Sequence, residues 1–464
     1  MERDIVIIGG GPGGYVAAIK AAQLGNKVTL VESDRIGGTC LNWGCIPTKA
    51  LYKNAEIIKT LKNIDQFGIS IEGFKIDMEK IHKRKDDVVG KLVNGIEQVL
   101  SSYDIETIDG IGSLKDRNRV LVRLNNGEER EISTKNIIIA TGSKPSVPPI
   151  KGVDLDGVHT SDYFINSREI PKRLAIVGGG VIGLEFANIY NELGSTVTIL
   201  GSEIIKNVDK DISKRMASYL KRNKIKLALK TRAKEIRKED GELIVVGDKK
   251  GKEITTKADS VLLAVGRKPV LEGLNLDNVG VEYDKYGIKV DDHFRTNIDN
   301  IYAIGDVIGG VMLAHVASHE GIIAVEKIMG IEKDIDHDIV PACIFVSPEI
   351  AQVGLTEEKA KEKGIDYKKS KFMIGANGKA LAMGETQGMV KVLSKGEDNT
   401  IIGVHIMGPH ASSLIHEGAL AVYNKLNVKD IEHTIHAHPT LSESFFEGVL
   451  GLEDRAIHMA KPKK

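Results

Sequence analysis

Two glycine-rich segments of the same design constrain the fold of this chain more than any other feature of its sequence. In the first copy, a β-branched run at 5–8 is followed by glycines, a helical pattern over 15–24 and a second apolar run at 27–31. The second copy repeats this order over 173–200. The order strand, helix, strand is typical of a parallel, doubly wound sheet. We therefore predict an α/β fold with two Rossmann-like dinucleotide-binding domains.

Both segments carry the spacing G-x-G-x-x-G between the strand and the helix. The first glycine permits a tight turn, the second lets a pyrophosphate approach the backbone, and the third lets the helix pack closely on the strand. The start of the helix adds free amide groups and the positive end of the helix dipole. A purely structural turn is the alternative for a single motif, but two copies in this context predict two dinucleotide sites. The glycines concerned are Gly9, Gly11 and Gly14 in the first copy and Gly178, Gly180 and Gly183 in the second.

An acidic residue at the end of the second strand is expected to bind the ribose hydroxyl groups of a dinucleotide. Glu32 occupies this position in the first copy, whereas Gly201 occupies it in the second. Glu203 follows shortly afterwards and is a candidate substitute, and Lys206 is a candidate contact for a 2′-phosphate. The choice between NAD and NADP at the second site is therefore open at this point.

Charge and composition exclude several classes of protein. The 464 residues include 64 Lys+Arg and 64 Asp+Glu, and this balance argues against a nucleic-acid-binding protein that neutralises phosphates. No apolar run approaches the roughly 18 residues of a membrane span, and the start of the chain resembles a buried strand rather than a targeting segment. Three cysteines in so long a chain do not form a secreted disulfide framework. We expect a cytoplasmic protein.

Changes of pattern along the chain predict four segments. Three prolines at 143–149 indicate a linker, a loop-rich junction follows Pro269, and from Pro341 strands and helices continue without a glycine motif. We expect a first nucleotide-binding domain at 1–147, a second at 148–270, a return segment of the first at 271–340 and a C-terminal α+β domain at 341–464.

Two cysteines follow the first glycine motif, in the stretch G-G-T-C-L-N-W-G-C-I-P-T-K. Cys40 and Cys45 cannot face each other on a straight helix, but a turn through 42–44 brings them together, and Pro47 favours a new helix there. A thiol at the start of that helix has a lowered pKa and is readily ionised. A buried pair and a metal-binding pair are the alternatives, although no further ligands cluster nearby and no metal is expected. A redox-active pair beside a nucleotide cofactor is the sharper hypothesis.

The same stretch resembles the redox-disulfide signature of class I pyridine nucleotide–disulfide oxidoreductases, and the resemblance covers nearly the whole chain. The segment A-T-G at 140–142 matches a flavin-contacting segment of that family, and 264–267 matches its second copy. The segment 296–306 matches a second flavin motif, whose aspartate binds the ribityl region. The resemblance implies FAD contacts at Thr39, Lys49, Gly112, Ala140, Thr141, Gly142, Asp306 and Ala314, and NAD contacts at Glu185 and Gly266. Lys49 and Glu185 resemble the family's ion pair beside the flavin ring.

The C-terminal stretch H-A-H-P-T-L-S-E completes the resemblance. It implies that His438 is the catalytic base and that Glu443 orients it. A dithiol must lose a proton before it attacks a disulfide, and histidine titrates near neutral pH. A hydrogen-bonded carboxylate fixes the tautomer of the ring and stabilises the imidazolium. The remaining candidates, His315, His433 and His436, are expected to be surface or packed residues, and Cys343 a buried apolar thiol.

The resemblance is strongest to the family members that oxidise dihydrolipoamide. It implies FAD at the first site, NAD at the second and a redox-active disulfide between Cys40 and Cys45. It further implies a homodimer, formed through the C-terminal domain, in which His438 of the partner subunit completes each site. In such an enzyme the substrate thiolate attacks Cys40, and Cys45 leaves as a thiolate near the flavin. The implied partners are lipoyl domains of 2-oxoacid dehydrogenase or glycine-cleavage complexes.

The sequence departs from the family pattern at two positions, and several other functions are alternatives to this interpretation. Gly201 replaces the usual acid of the NAD site, and Ser413 stands where the family often has glutamate. A glutathione-reductase-like enzyme that uses NADPH would need an arginine pair after the second motif, a mercuric reductase would need C-terminal cysteines, and a soluble transhydrogenase would lack the cysteine pair. A flavoprotein that only carries electrons is the alternative outside catalysis, but electron carriage needs no base such as His438.

Overall fold

The computed structural model describes residues 2–331 and 339–460. Its first unit is a parallel sheet in the order β3-β2-β1-β5-β18, with β4 paired antiparallel to the extended ends of β3 and β5. The strands are β1 (Arg3–Ile8), β2 (Val28–Glu32), β3 (Glu106–Asp116), β4 (Arg119–Leu124), β5 (Glu129–Ile139) and, much later in the chain, β18 (Ile301–Ala303). The helices are α1 (Pro12–Gln23), α2 (Gly38–Asn42), α3 (Cys45–Lys62), α4 (Met78–Ser102), α8 (Leu276–Val279) and α9 (Ala314–Ile328).

Strand β1 shows why the β-branched run forms the centre of this sheet. Ile5 and Ile7 pack on one face against the alanines of α1, while Val6 and Ile8 pack on the other face against Val120. These four side chains are all buried. Burial on both faces is the pattern of a central parallel strand.

The second unit repeats the order of the first four strands of the first unit, but its fifth strand precedes the others in the chain. Its parallel sheet has the order β10-β9-β8-β14-β7, and an antiparallel set, β11-β12-β13, follows the third strand. The strands are β7 (Val158–His159), β8 (Arg173–Val177), β9 (Thr196–Gly201), β10 (Lys226–Leu229), β11 (Arg232–Glu239), β12 (Glu242–Lys249), β13 (Lys252–Ala258) and β14 (Ser260–Leu263). The helices are α5 (Ser161–Asn166), α6 (Val181–Leu193) and α7 (Lys210–Arg222). The internal repeat therefore extends over a whole domain, which agrees with the predicted fold class.

The segment expected to be a linker is partly a strand. β6 (Ser143–Pro145) pairs antiparallel with β15 (Arg267–Pro269). These two strands leave the A-T-G and A-V-G turns of the two units, so their pairing joins the units at equivalent points. The prolines did not prevent pairing because a two-stranded ribbon has free edges, where proline is tolerated.

The third unit is an antiparallel sheet in the order β19-β20-β23-β22-β21, covered by helices. Its strands are β19 (Ala342–Ile344), β20 (Glu349–Gly354), β21 (Tyr367–Met373), β22 (Met389–Lys395) and β23 (Thr400–Gly408). Its helices are α10 (Glu357–Glu362), α11 (Gly378–Met383), α12 (Ala411–Tyr423), α13 (Val428–Glu432) and α14 (Glu443–Leu450). A short hairpin of β16 (Tyr283–Asp284) and β17 (Gly287–Ile288) lies earlier in the chain.

Helix α3 is packed where the three units meet. Its residues Leu51 and Tyr52 belong to one buried cluster with Ile176 of the second unit and Val346 of the third. The Tyr52 hydroxyl also donates to the carbonyl oxygen of Val346 at 3.0 Å. This packing gives the helix that begins at Cys45 a rigid setting.

Across the described residues, none of the helices combines the length and the apolar character that crossing a membrane requires.

Candidate active site

The first glycine motif forms a tight cradle between β1 and α1. Gly9 has a φ of +110°, and a Cβ on it would lie 2.3 Å from the carbonyl oxygen of Ala140. A Cβ on Gly14 would lie 1.8 Å from the carbonyl oxygen of Gly9. Nothing lies within 4 Å of a Cβ built on Gly11. Packing thus requires the first and third glycines, whereas the second faces open space in which a pyrophosphate fits.

The second motif has the same geometry. Gly178 has a φ of +125°, and its Cβ would lie 2.0 Å from the carbonyl oxygen of Ala264. A Cβ on Gly183 would lie 2.2 Å from the carbonyl oxygen of Gly178, and nothing lies within 4 Å of one on Gly180. The two cradles differ at the end of the second strand. Strand β9 ends at Gly201, and a Cβ there would lie 3.1 Å from the amide nitrogen of Gly179.

Glu32, at the end of β2, is held by the cradle itself. Its Oε2 accepts a hydrogen bond from the amide of Gly10 at 2.6 Å, and its Oε1 accepts one from Asp34 at 2.8 Å. The carboxylate lines the large cavity beside the cradle. In the second unit the equivalent place has no side chain, and Glu203 is exposed. Lys206 is also exposed and lines the same cavity as Glu32.

A cavity of about 2040 Å³ connects the first cradle with the two cysteines. Fourteen of the predicted site residues line it: Gly9, Gly11, Glu32, Thr39, Cys40, Cys45, Lys49, Gly112, Ala140, Thr141, Gly142, Glu185, Asp306 and Ala314. Gly14 is buried and does not line the cavity. Among the described residues, Gly178, Gly180, Gly183, Gly201 and Gly266 are outside this cavity. An open glycine turn and a backbone-held carboxylate at one end, with thiols at the other, fit an extended dinucleotide such as FAD.

Asp306 is held by residues that were not predicted to belong to the site. Ser143 donates to a carboxylate oxygen of Asp306, and Arg267 Nε donates to Ser143 Oγ at 2.7 Å. Glu320, buried in α9, accepts a hydrogen bond from the amide of Gly305 at 2.6 Å. The sequence does indicate Ser143 and Arg267, because each directly follows one of the two flavin-type turns. Nothing local in the sequence indicates Glu320.

The cysteine segment lies directly on the first cradle. The amide of Gly37 donates to the carbonyl oxygen of Gly10 at 2.8 Å, and a Cβ on Gly38 would lie 2.8 Å from the Cα of Gly11. Helix α2 carries Cys40, the chain turns after Asn42, and α3 begins at Cys45. Both cysteines are free thiols, half-buried and hydrogen-bonded to each other.

The surroundings of the two sulfurs make them unequal. The hydrogen bond from Cys40 and the charge of Lys49 lower the pKa of the Cys45 thiol, against the opposing effect of burial. The hydrogen bond to Cys45 and burial raise the pKa of Cys40. Lys49 Nζ lies 3.0 Å from both carboxylate oxygens of Glu185 and 4.4 Å from the ring centroid of Phe345. Cys45 is therefore the sulfur that ionises more readily.

His438 and Glu443 form a hydrogen-bonded pair in the third unit. His438 Nδ1 lies 2.9 Å from Glu443 Oε1, and the amide of Thr440 donates to Glu443 Oε2 at 2.8 Å. Although burial would raise it, the Thr440 amide and His438 hold the pKa of Glu443 below its ordinary value. The His438 side chain is 77% exposed, and neither residue of the pair belongs to the described lining of the cysteine cavity. One chain thus does not bring this histidine to the thiols.

Other histidines and the third cysteine have different surroundings. His436 packs against Phe446 and lies 2.6 Å from Glu417 Oε1. His315 lines the large cavity, with its Nε2 2.8 Å from the carbonyl oxygen of Pro341. Cys343 lines the large cavity and packs against the core of the third unit, but it is only half-buried and so is less buried than predicted. Burial raises the pKa of Cys343 to about 11.

Family comparisons agree with this architecture. Residues 3–321 match the family described as pyridine nucleotide-disulphide oxidoreductase, and residues 340–448 match the dimerisation domain of the same family. The chain belongs to the pyridine nucleotide-disulphide oxidoreductase family. Members of this family use FAD and NAD, as the resemblance implied, and the second match supports the predicted homodimer.

Individual relatives of this pyridine nucleotide-disulphide oxidoreductase match over nearly the full chain. The dihydrolipoyl dehydrogenase of Bacillus subtilis is 42% identical over 470 residues, which cover 98% of this chain and 99% of that protein. The mitochondrial dihydrolipoyl dehydrogenase of Pisum sativum is 41% identical over 465 residues, 99% of this chain and 93% of that protein. The crystal structure of LpdA from Mycobacterium tuberculosis superposes with a TM-score of 0.90 at 28% identity and covers 97% of this chain and 99% of that one. The predicted fold class and family are confirmed.

Proposed function

We propose that this disulfide oxidoreductase oxidises a dihydrolipoyl group and reduces NAD, with FAD as its cofactor. The observation that carries the proposal is the hydrogen-bonded pair of Cys40 and Cys45 on the cavity wall, next to the first cradle. The names of the relatives from Bacillus subtilis and Pisum sativum support the substrate class.

The thiol chemistry follows from the unequal sulfurs. In the oxidised enzyme Cys40 and Cys45 form a disulfide, and one substrate thiol loses its proton to the catalytic base. The resulting thiolate attacks the sulfur of Cys40, the Cys40–Cys45 bond breaks, and Cys45 keeps the electron pair. The positive charge of Lys49, which also lowers the pKa of the reduced Cys45 thiol, stabilises the departing thiolate and makes Cys45 the better leaving group. The second substrate thiol then attacks the substrate sulfur of the mixed disulfide and passes its proton to Cys40 as the bond to Cys40 breaks. Oxidised lipoyl is released with its own disulfide closed, and Cys40 is left as a thiol.

The base in this proposal is His438 of the partner subunit. Glu443 accepts a hydrogen bond from Nδ1, so Nε2 of the ring is free to take the substrate proton. The exposed position of His438 on the third unit supports contact with a second chain. The dimerisation match over 340–448 supports the same arrangement.

The dinucleotide sites divide between the two cradles. Bound FAD supplies a two-electron carrier between Cys45 and NAD. The first cradle and Glu32 would hold the phosphate and ribose of FAD, and Asp306 and Ala314 would contact its flavin end. For NAD we propose Gly178, Gly180, Gly183, Glu185, Gly201 and Gly266. The remaining proposed FAD contacts are Thr39, Lys49, Gly112, Ala140, Thr141 and Gly142.

The proposal includes the organisation of the chain and its partners. Segments 1–147 and 271–340 would form the two parts of the FAD domain. Segment 148–270 would form the NAD domain between them, and segment 341–464 would form the dimerisation domain. The dihydrolipoyl group would be presented by lipoyl domains of a 2-oxoacid dehydrogenase or glycine-cleavage complex.

Steady-state turnover with paired substrates tests this proposal. We expect the FAD-loaded dimer to form NADH rapidly from dihydrolipoamide and to show little activity with reduced or oxidised glutathione. NADP should be a poor replacement for NAD. Preferential reduction of glutathione disulfide by NADPH would identify a glutathione-reductase-like enzyme and contradict the proposal, as would a flavoprotein that turns over neither thiol.

A further inference from the structure

A buried ionic cluster joins the second unit to the third and has no part in the thiol chemistry. Lys391 in β22 is 1% exposed, and its Nζ lies 2.8 Å from Asp209, 2.7 Å from Asp211 and 2.8 Å from Glu357. Asp209 is fully buried. Lys391 and Glu357 belong to the third unit, whereas both aspartates lie at the start of α7 in the second. The cluster is therefore a bridge between the two units.

The cluster ends at the segment that follows Gly201, which we call the ribose segment (residues 202–209). Asp209 closes this segment and caps α7, since its Oδ1 accepts the amide of Asp211 at 2.9 Å. In the middle of the segment, the carbonyl oxygen of Asn207 accepts a hydrogen bond from Gln352 Nε2 at 2.9 Å. Gln352 lies in β20, so the third unit holds the ribose segment at two separate points.

The internal repeat shows what the ribose segment faces. The amide of Ile205 donates to the carbonyl oxygen of Gly179 at 2.7 Å, just as Gly37 donates to Gly10 at 2.8 Å in the first unit. The ribose segment thus lies against the second cradle. In the first unit the Glu32 carboxylate marks the ribose position, but Gly201 supplies no side chain there. Recognition of the nucleotide ribose at the second cradle therefore depends on the position of the ribose segment.

We propose that Lys391 and Gln352 are positioning residues for the nicotinamide nucleotide, because they hold the ribose segment against the second cradle from the third unit. The proposal rests on the proposed function only in assigning NAD to that cradle. The charge arrangement supports it. Asp209, Asp211 and Glu357 together surround Lys391, and although burial opposes its charge, they raise the pKa of Lys391 and keep it a cation.

Calorimetric titration of the oxidised, FAD-loaded dimer with NAD tests the proposal without a dithiol substrate. We expect Lys391→Met and Gln352→Leu to weaken NAD binding, with the lysine change costing on the order of tenfold in affinity, which is within the usual range for coupling between separate sites. Lys361→Met is the matched control. Lys361 contacts the same Glu357 at 3.0 Å, but both residues belong to α10 and the contact does not reach the second unit. The Lys361→Met variant should bind NAD with the affinity of the native protein.

A second readout separates positioning from a general structural role. Reduction of the flavin by dihydrolipoamide, followed without NAD, should keep its native rate in both variants. Equal loss of this rate and of NAD affinity would overturn the proposal, and so would native NAD affinity in both variants. If Lys391→Met does not fold, Gln352→Leu decides, since it removes one donor and no charge. If the native protein binds NADP but not NAD, the proposed function is contradicted, but the positioning role of Lys391 and Gln352 is not. The same variants are then titrated with NADP.

Discussion

The sulfur of Cys45, the first residue of helix α3, shares a hydrogen bond with Cys40 in helix α2. Lys49 lies one turn further along α3 and forms an ion pair with Glu185. In this setting the pKa of Cys45 is lowered and that of Cys40 is raised. The reduced pair is therefore polarised by its surroundings, and Cys45 is the sulfur that carries negative charge after reduction.

The hydrogen bond between the sulfurs is the largest contribution to this polarisation, and it is directly testable. Cys40→Ala removes the donor, so the thiolate of Cys45 should form at higher pH than in Cys40→Ser, which keeps a hydroxyl donor. The measurement is the pH dependence of iodoacetamide alkylation at Cys45, in a Cys343→Ser background so that one thiol reports. Superimposable pH profiles for the two variants would contradict the assignment.

Removal of the base should slow the reaction without affecting the cofactor. We expect His438→Gln to lower kcat for dihydrolipoamide oxidation by about 100-fold to 10,000-fold, the usual contribution of general base catalysis. Glu443→Gln should have a smaller effect, because the ring remains in place but loses its orienting carboxylate. The flavin absorbance of both purified variants should equal that of the native protein, and near-native kcat in His438→Gln would remove this residue from the site.

Mixed dimers provide the control for a site shared between subunits. A dimer of one Cys45→Ser chain and one His438→Gln chain contains one intact site if the base comes from the partner subunit. Activity should therefore return when the two inactive proteins are unfolded and refolded together. If thiols and base belonged to the same chain, every site in the mixture would be defective and no activity would return.

The first cradle separates a packing role from a binding role. Gly14→Ala would place a Cβ 1.8 Å from the carbonyl oxygen of Gly9, so we expect poor folding even before FAD binds. Gly11→Ala meets nothing within 4 Å and should fold normally, yet its methyl group would occupy the space of the pyrophosphate. Soluble yield and circular dichroism report the fold, and flavin content reports binding. A folded Gly14→Ala protein with full flavin would refute this division of roles.

Glu320 predicts a pH dependence of stability. Burial in α9 raises its pKa from about 4.5 to about 7, with a further contribution from Asp306. Between these values the unfolded chain releases the proton while the folded chain keeps it, so this carboxyl group lowers stability as pH rises. Glu320→Gln retains an acceptor for the Gly305 amide but cannot ionise. Its melting temperature should match the native value at about pH 4, where both the folded and the unfolded chain keep the proton, and exceed it at about pH 8. A constant difference between the two proteins would refute the shift.

The sequence predicted the parts of the site that depend on local pattern. Both cradles follow from a β-branched run, a glycine spacing and a helical pattern, and Gly201 was recognisable as the missing acid. The helices nevertheless begin earlier than predicted, at Pro12 and Val181, because the glycine turn itself leads into the first helical turn.

The unpredicted parts all join segments that are distant in the chain. Ser143 and Arg267 meet only because β6 pairs with β15, and Lys391 reaches Asp209 only because the third unit packs on the second. No periodicity or spacing encodes such contacts, since they depend on how completed units dock. The burial of Cys343 was overestimated for the same reason. The large cavity beside β19 is formed by other parts of the chain, so the sequence around Cys343 does not show it.

The most direct test of the central claim is the rate of NADH formation from dihydrolipoamide by the FAD-loaded Cys45→Ser dimer. Serine preserves the size of the side chain but cannot form or break a disulfide with Cys40. We predict that turnover falls to the background rate while flavin content and NAD affinity remain native. Turnover near the native rate in this variant would show that electrons reach NAD without the Cys40–Cys45 pair, and it would contradict the account.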